Sequence, residues 1–75
     1  MQVIVEYEER IVKQTVIEVD DKFKKLKDID ATYAELVDLK EDLAEIIFPI
    51  INDCDNYKEL ISASDYEDEE IMWEW

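Results

Sequence analysis

Residues 30–48 read DATYAELVDLKEDLAEIIF, and the spacing of the apolar positions in this stretch decides the fold. Tyr33, Leu36, Val37, Leu43, Ala44 and Ile47 recur at the three- and four-residue steps of one helix face. The opposite face carries Glu35, Asp38, Glu41, Asp42 and Glu45. Ala31, Glu35, Leu36, Leu39, Glu41, Leu43 and Ala44 are good helix formers, and Asp30 stands where an N-cap belongs. Pro49 has no N–H to give the Glu45 carbonyl, so the helix is expected to end or kink near Ile47. Proline is tolerated at the first position of a helix, so a short helical segment is expected after Pro49. The run Ile46, Ile47, Phe48, Ile50 and Ile51 is the most apolar part of the chain and reads as core.

Upstream of this helix the period changes. Val3, Val5 and Tyr7 alternate with Gln2, Ile4 and Glu6, and residues 11–19 are again rich in β-branched side chains. In the second run Ile11, Thr15, Ile17 and Val19 share a face with Lys13. Together they predict an N-terminal β-hairpin. Its connection, Glu8-Glu9-Arg10, has neither glycine nor asparagine, so a loop longer than a two-residue primed turn is expected. Asp20-Asp21 then opens KFKKLKDID, acids first and bases last, as the helix dipole favours. Phe23 and Leu26 could dock a short helix or an irregular connection on the sheet, with the lysines as a solvated face.

Downstream, residues 57–64 suit either a helix end or a short strand, with the balance toward helix through about Ile61. The tail places Asp65, Glu67, Asp68, Glu69 and Glu70 before Ile71, Met72, Trp73 and Trp75. Two tryptophans are poorly served by full exposure, so the tail reads as a C-terminal strand joining the hairpin, or as an interface. The expected fold is therefore α+β, in a single compact domain spanning residues 1–75.

Composition narrows the function classes. The chain has 22 acids, 8 bases and a formal net charge of −14. Residues 1–27 hold six acids and six bases, whereas residues 28–75 hold sixteen acids and two bases, Lys40 and Lys58. A surface of this sign repels nucleic acid and anionic membranes and attracts basic partners. No direct nucleic-acid or membrane binding is expected. The start, MQVIVEYEER, has no basic segment followed by a long apolar run, so no signal peptide is expected, and the cytoplasm is the expected location. One cysteine, Cys54, permits no internal disulfide and stands between Asp53 and Asp55, which disfavour its thiolate.

Catalytic chemistry finds little support. Histidine is absent, which removes the usual general base and the usual zinc ligand. Carboxylate pairs are plentiful, but a chain of 75 residues has little room for a substrate cleft. An EF-hand loop started at Asp53 would put Lys58 where glycine belongs and Ser64 where the bidentate glutamate belongs. Neither an enzyme nor a cofactor is expected.

The remaining pattern is geometric. Glu35, Asp38, Asp42 and Glu45 step by three, four and three residues, so successive carboxylates rise by roughly 4.5 to 6 Å along the helix. That spacing is comparable to the phosphates of a nucleic-acid strand, and the 65–70 acids could extend it. Any amphipathic helix shows a similar face to water. In its compactness, acidity and lack of catalytic residues, the chain resembles the small DNA-mimic inhibitors of phages and mobile elements, of anti-CRISPR and anti-restriction type. The resemblance is one of overall character and supplies no residue correspondence. It implies a stoichiometric inhibitor, in the host-cell cytoplasm if phage-encoded, that occupies the basic channel of a nucleic-acid-binding protein such as a CRISPR effector. Glu35, Asp38, Asp42, Glu45, Asp65, Glu67, Asp68, Glu69 and Glu70 would stand for phosphates, with Trp73 and Trp75 adding apolar contact. The alternative is a structural or regulatory interaction module, a homodimer or accessory subunit, binding through Phe48, Ile50, Trp73 and Trp75.

Overall fold

The computed structural model describes residues 1–51 and 59–75. Strands β1 (Gln2–Glu8) and β2 (Val12–Glu18) form the expected hairpin; they are followed by a 3-10 helix (Asp21–Lys27), helix α1 (Tyr33–Ile51), and strands β3 (Glu59–Asp65) and β4 (Ile71–Glu74). The strands make an antiparallel sheet in the order β2-β1-β3-β4. The fold is thus α+β, with the C-terminal strands completing a sheet begun by the hairpin. It is β3 that lies beside β1, and β4 forms the outer edge.

Alternation in β1 sends Val3 and Val5 into the core, and Ile17 joins them from β2, where it pairs with Val3. Ala63 comes from β3 opposite Val5. Phe23, Leu26, Leu43, Ile47 and Ile51 close over these residues in one cluster. One side of the sheet is therefore roofed by the 3-10 helix and α1, and among the described residues nothing covers the other. Burial of this cluster is the main driving force for folding.

Several expectations need correction. Helix α1 runs through Pro49 without ending near Ile47, so residues as far as Ile51 belong to the same helix. Pro49 and Glu45 both lie on its exposed side, where water can satisfy the freed carbonyl. Ile47 and Ile51 are buried on the other side and hold the last turn down. Ile46, Phe48 and Ile50 are exposed, so only Ile47 and Ile51 of the apolar run are core. Tyr33, expected in the buried stripe, is 78% exposed, while Leu39 takes a place against the core. Thr32, not Asp30, serves the helix start: its Oγ1 accepts from the Glu35 N–H at 3.3 Å. Residues Glu59–Asp65 form a strand, against the balance toward helix. The Asp53–Cys54–Asp55–Asn56 reading lies outside the described residues.

The hairpin loop has three residues, because Glu8 pairs with Val12. Arg10 sits there at φ 129, a region that favours glycine. In β3, Ile61 is an extra residue between the pairs Glu6–Ser62 and Tyr7–Leu60. A second irregularity places Met72 as an extra residue in β4 and buries it.

Candidate functional site

The 3-10 helix determines how the acids are distributed. Asp20 caps it, its Oδ1 accepting from the Lys22 N–H at 2.8 Å, and Phe23 and Leu26 anchor it in the core. With those two side chains buried, its lysines project sideways, toward α1 on one flank and the β3–β4 turn on the other. Lys22 Nζ lies 3.7 Å from Asp42, and Lys25 Nζ lies 3.3 Å from Glu35. Lys27 Nζ lies 3.0 Å from Asp65, 2.6 Å from Asp68 and 3.7 Å from Glu70. The expected solvated lysine face is therefore an ion-pair strip, and the helix row is partly neutralised. Lysines of one short helix thus pair with acids of α1 and with acids of the β3–β4 turn.

The turn acids differ from one another. Asp65 is only 6% exposed, and its Oδ1 accepts from the Glu67 N–H at 2.9 Å. Asp68 repeats the device, accepting from the Glu70 N–H at 2.9 Å. The Asp65 N–H donates to the Glu70 carbonyl at 2.9 Å and the Glu69 N–H to the Asp65 carbonyl at 2.8 Å. Glu69 completes the turn in the left-handed region, at φ 59. The Glu67 N–H, followed by Lys27, holds the Asp65 carboxyl below the ordinary range. Lys27 is the leading cause for Asp68, with the Glu70 N–H behind it. The ammonium of Lys27 is held charged well above the usual lysine range, chiefly by Asp68 and then by Asp65. Asp65 and Asp68 thus build the turn, and Glu67 and Glu69 are exposed acids of it that make no ion pair among the described residues.

On the helix, Asp38, Glu41 and Glu45 are exposed and make no ion pair among the described residues. Lys40 is directed elsewhere: its ammonium sits 5.6 Å from the Trp73 ring centroid, a cation–π contact over a half-buried ring. Trp73 pairs with Ala63 on the roofed side of the sheet and packs on the core. Trp75 is 37% exposed at the end of β4, its N–H donating to the Ile61 carbonyl at 2.9 Å. The two tryptophans therefore do different jobs.

The sequence-derived site omitted the uncovered side of the sheet. Glu6 and Glu8 of β1 point there, opposite to Val3, Val5 and Tyr7. Glu59 pairs with Glu8, and Ser62 lies between Glu6 and Glu74. The alternation of β1 was the signal that could have found part of this surface; the rest required the β1–β3 and β3–β4 registers. No helix among the described residues is long and apolar enough to cross a membrane. Comparison with family models, curated proteins and solved structures gives no match.

Proposed function

We propose that this chain is a stoichiometric inhibitor of a basic nucleic-acid-binding protein, such as a host defence nuclease of the CRISPR-effector kind. It would act by occupying the partner's nucleic-acid channel with a phosphate-like acidic surface. The observation that carries this reading is the carboxylate surplus left after the internal ion pairs are made. Lys22, Lys25 and Lys27 are engaged by Glu35, Asp42, Asp65, Asp68 and Glu70, while Asp38, Glu41, Glu45, Glu67 and Glu69 remain exposed and make no ion pair among the described residues. Asp42 and Glu35 keep part of their charge available, because their partners are half-exposed lysines whose pairing contributes little. Such a surface accelerates encounter with a cationic channel and weakens as salt screens it.

The test is displacement of labelled DNA from a candidate nuclease, followed by fluorescence anisotropy at several salt concentrations. The quadruple variant Glu35→Gln, Asp38→Asn, Asp42→Asn, Glu45→Gln should displace DNA at least tenfold less well and show a shallower salt dependence. Unchanged displacement by a folded quadruple variant defeats the mimicry reading. A second reading, an interaction module that binds through apolar contact, is favoured by the exposure of Phe48, Ile50 and Trp75. It predicts binding that persists at high salt and is lost on Phe48→Ser.

A further inference from the structure

We infer that the uncovered face of the sheet is a docking surface for a cationic, amphipathic helical segment of a partner protein. The inference rests on the charge reading above and assigns it a different surface. The registers place Val16, Ile4, Ser64 and Ile71 in one row across all four strands. Val16 is 45% exposed and Ile71 53% exposed, so the row has apolar ends open to solvent. The neighbouring row is Gln14, Glu6, Ser62 and Glu74, and the next is Val12, Glu8 and Glu59. A row with apolar ends is thus flanked on one side by two rows that carry four carboxylates, Glu6, Glu74, Glu8 and Glu59. Trp75 borders a hollow of ≈ 380 Å³ on this face together with Glu6, Ser62, Ser64, Ile71 and Glu74.

Among the described residues the side-chain charge on this face is one-signed. The four strands hold a single base, Lys13, and its pairing with Tyr7 puts it on the roofed side, where Glu9 binds it at 3.0 Å. Glu6 is bound by the neutral Gln14 amide at 3.0 Å, and Glu18 at the corner by the α-amino group of Met1 at 3.3 Å. Glu8 and Glu59 face each other directly across β1 and β3, an arrangement that opposes pairing of the strands.

These features select the occupant. A second copy presenting the same face would bring carboxylates against carboxylates, and nucleic acid or an anionic bilayer would be repelled in the same way. A basic segment is attracted, and the apolar row gives it something to bury. Four strands at the usual spacing span roughly 14 Å, enough for about two and a half turns of a helix laid along the row. Apolar side chains at steps of three and four would meet Ile4, Val16 and Ile71. Lysines or arginines on the adjacent face would reach Glu6, Glu74, Glu8 and Glu59.

The experiment uses the full chain labelled with 15N and three synthetic peptides of about four turns. One carries leucine at helical spacing with arginine elsewhere. One has the same composition in scrambled order, and one replaces each arginine by glutamate. The first peptide should shift the amides of Ile4, Val16, Ser64 and Ile71 and the indole of Trp75, and bind at least tenfold tighter than the scrambled peptide. The glutamate peptide should not bind. The quadruple Glu6→Gln, Glu8→Gln, Glu59→Gln, Glu74→Gln should lose at least tenfold in affinity, as should the charge-preserving pair Val16→Thr, Ile71→Thr. Thermal melting verifies that each variant folds. Shifts confined to α1, equal binding of the scrambled peptide, or concentration-dependent broadening of the sheet face without peptide would each overturn the inference. The helix-row variant separates the two proposals: it should bind the first peptide normally even if it no longer displaces DNA from the nuclease.

Discussion

On the roofed side of the sheet, three lysines of one short helix reach five carboxylates; on the other side, Glu6, Glu8, Glu59 and Glu74 stand with no lysine or arginine among the described residues beside them. The two sides belong to one small domain and differ because a base can be placed only where something anchors it. Phe23 and Leu26 supply that anchor for the 3-10 helix, and the lysines between and beside them follow. Among the described residues nothing comparable is laid on the other side. Charge that looks like a single surplus in the chain is therefore resolved into a compensated side and an uncompensated one. The latter is the surface on which a basic partner would gain most, because among the described residues no lysine or arginine lies on it.

The largest expected effect breaks the compensated side at its anchor. Phe23→Ala empties a fully buried position and should lower stability by about 3–5 kcal/mol, close to the whole stability expected of so small a domain. Urea denaturation checks this; a loss below about 1 kcal/mol would mean that Phe23 does not hold the lysine-bearing helix in place.

Next comes Lys27→Met, which leaves the buried Asp65 without its cation. It should depress the melting temperature more than Lys22→Met or Lys25→Met, whose pairs are half exposed. The same cluster sets an acid limit. Because the Asp65 and Asp68 carboxyls titrate lower in the folded chain, their contribution is fully present above the ordinary carboxylate range of the unfolded chain. It fades as the pH falls through the depressed folded values. Melting followed from pH 6 to pH 2 should therefore show a falling stability that is shallower in Lys27→Met. Parallel curves would count against the cluster as the source.

The smallest effect has the opposite sign and belongs to the uncovered side. Glu59→Gln removes one of two like charges facing each other across β1 and β3, so it should stabilise the fold by about 0.2–1 kcal/mol. The gain should shrink at high salt. Destabilisation by the amide would mean that Glu59 has an attractive partner and that the two sides are less unlike than their registers make them.

Much of the architecture was legible in local pattern. The β-branched alternation of β1 and β2 specified a hairpin, and Phe23 and Leu26 after Asp20-Asp21 read as a short helix or an irregular connection docked on the sheet. Elsewhere local signals misled. Pro49 argued for a helix end, yet buried Ile47 and Ile51 on the opposite side outweigh one missing hydrogen bond. In Glu59–Asp65, serine and alanine weaken strand propensity; β1 on one side and β4 on the other impose the extended form. The candidate site was only partly legible, since Asp65 and Asp68 read as presented charge until the turn showed them receiving its N–H groups.

The α+β class, the acidity of residues 28–75 and the row of carboxylates on α1 can all be read from the order of residues. Each of these depends on composition or on neighbours within a turn or a strand. Only the tertiary structure decided which acids keep their charge for solvent. Lys27 meets Asp65 across 38 positions of chain, and Glu8 meets Glu59 only because β3 inserts between β1 and β4. Electrostatic interaction depends on distance in space, and distance in space is set by how the apolar core closes.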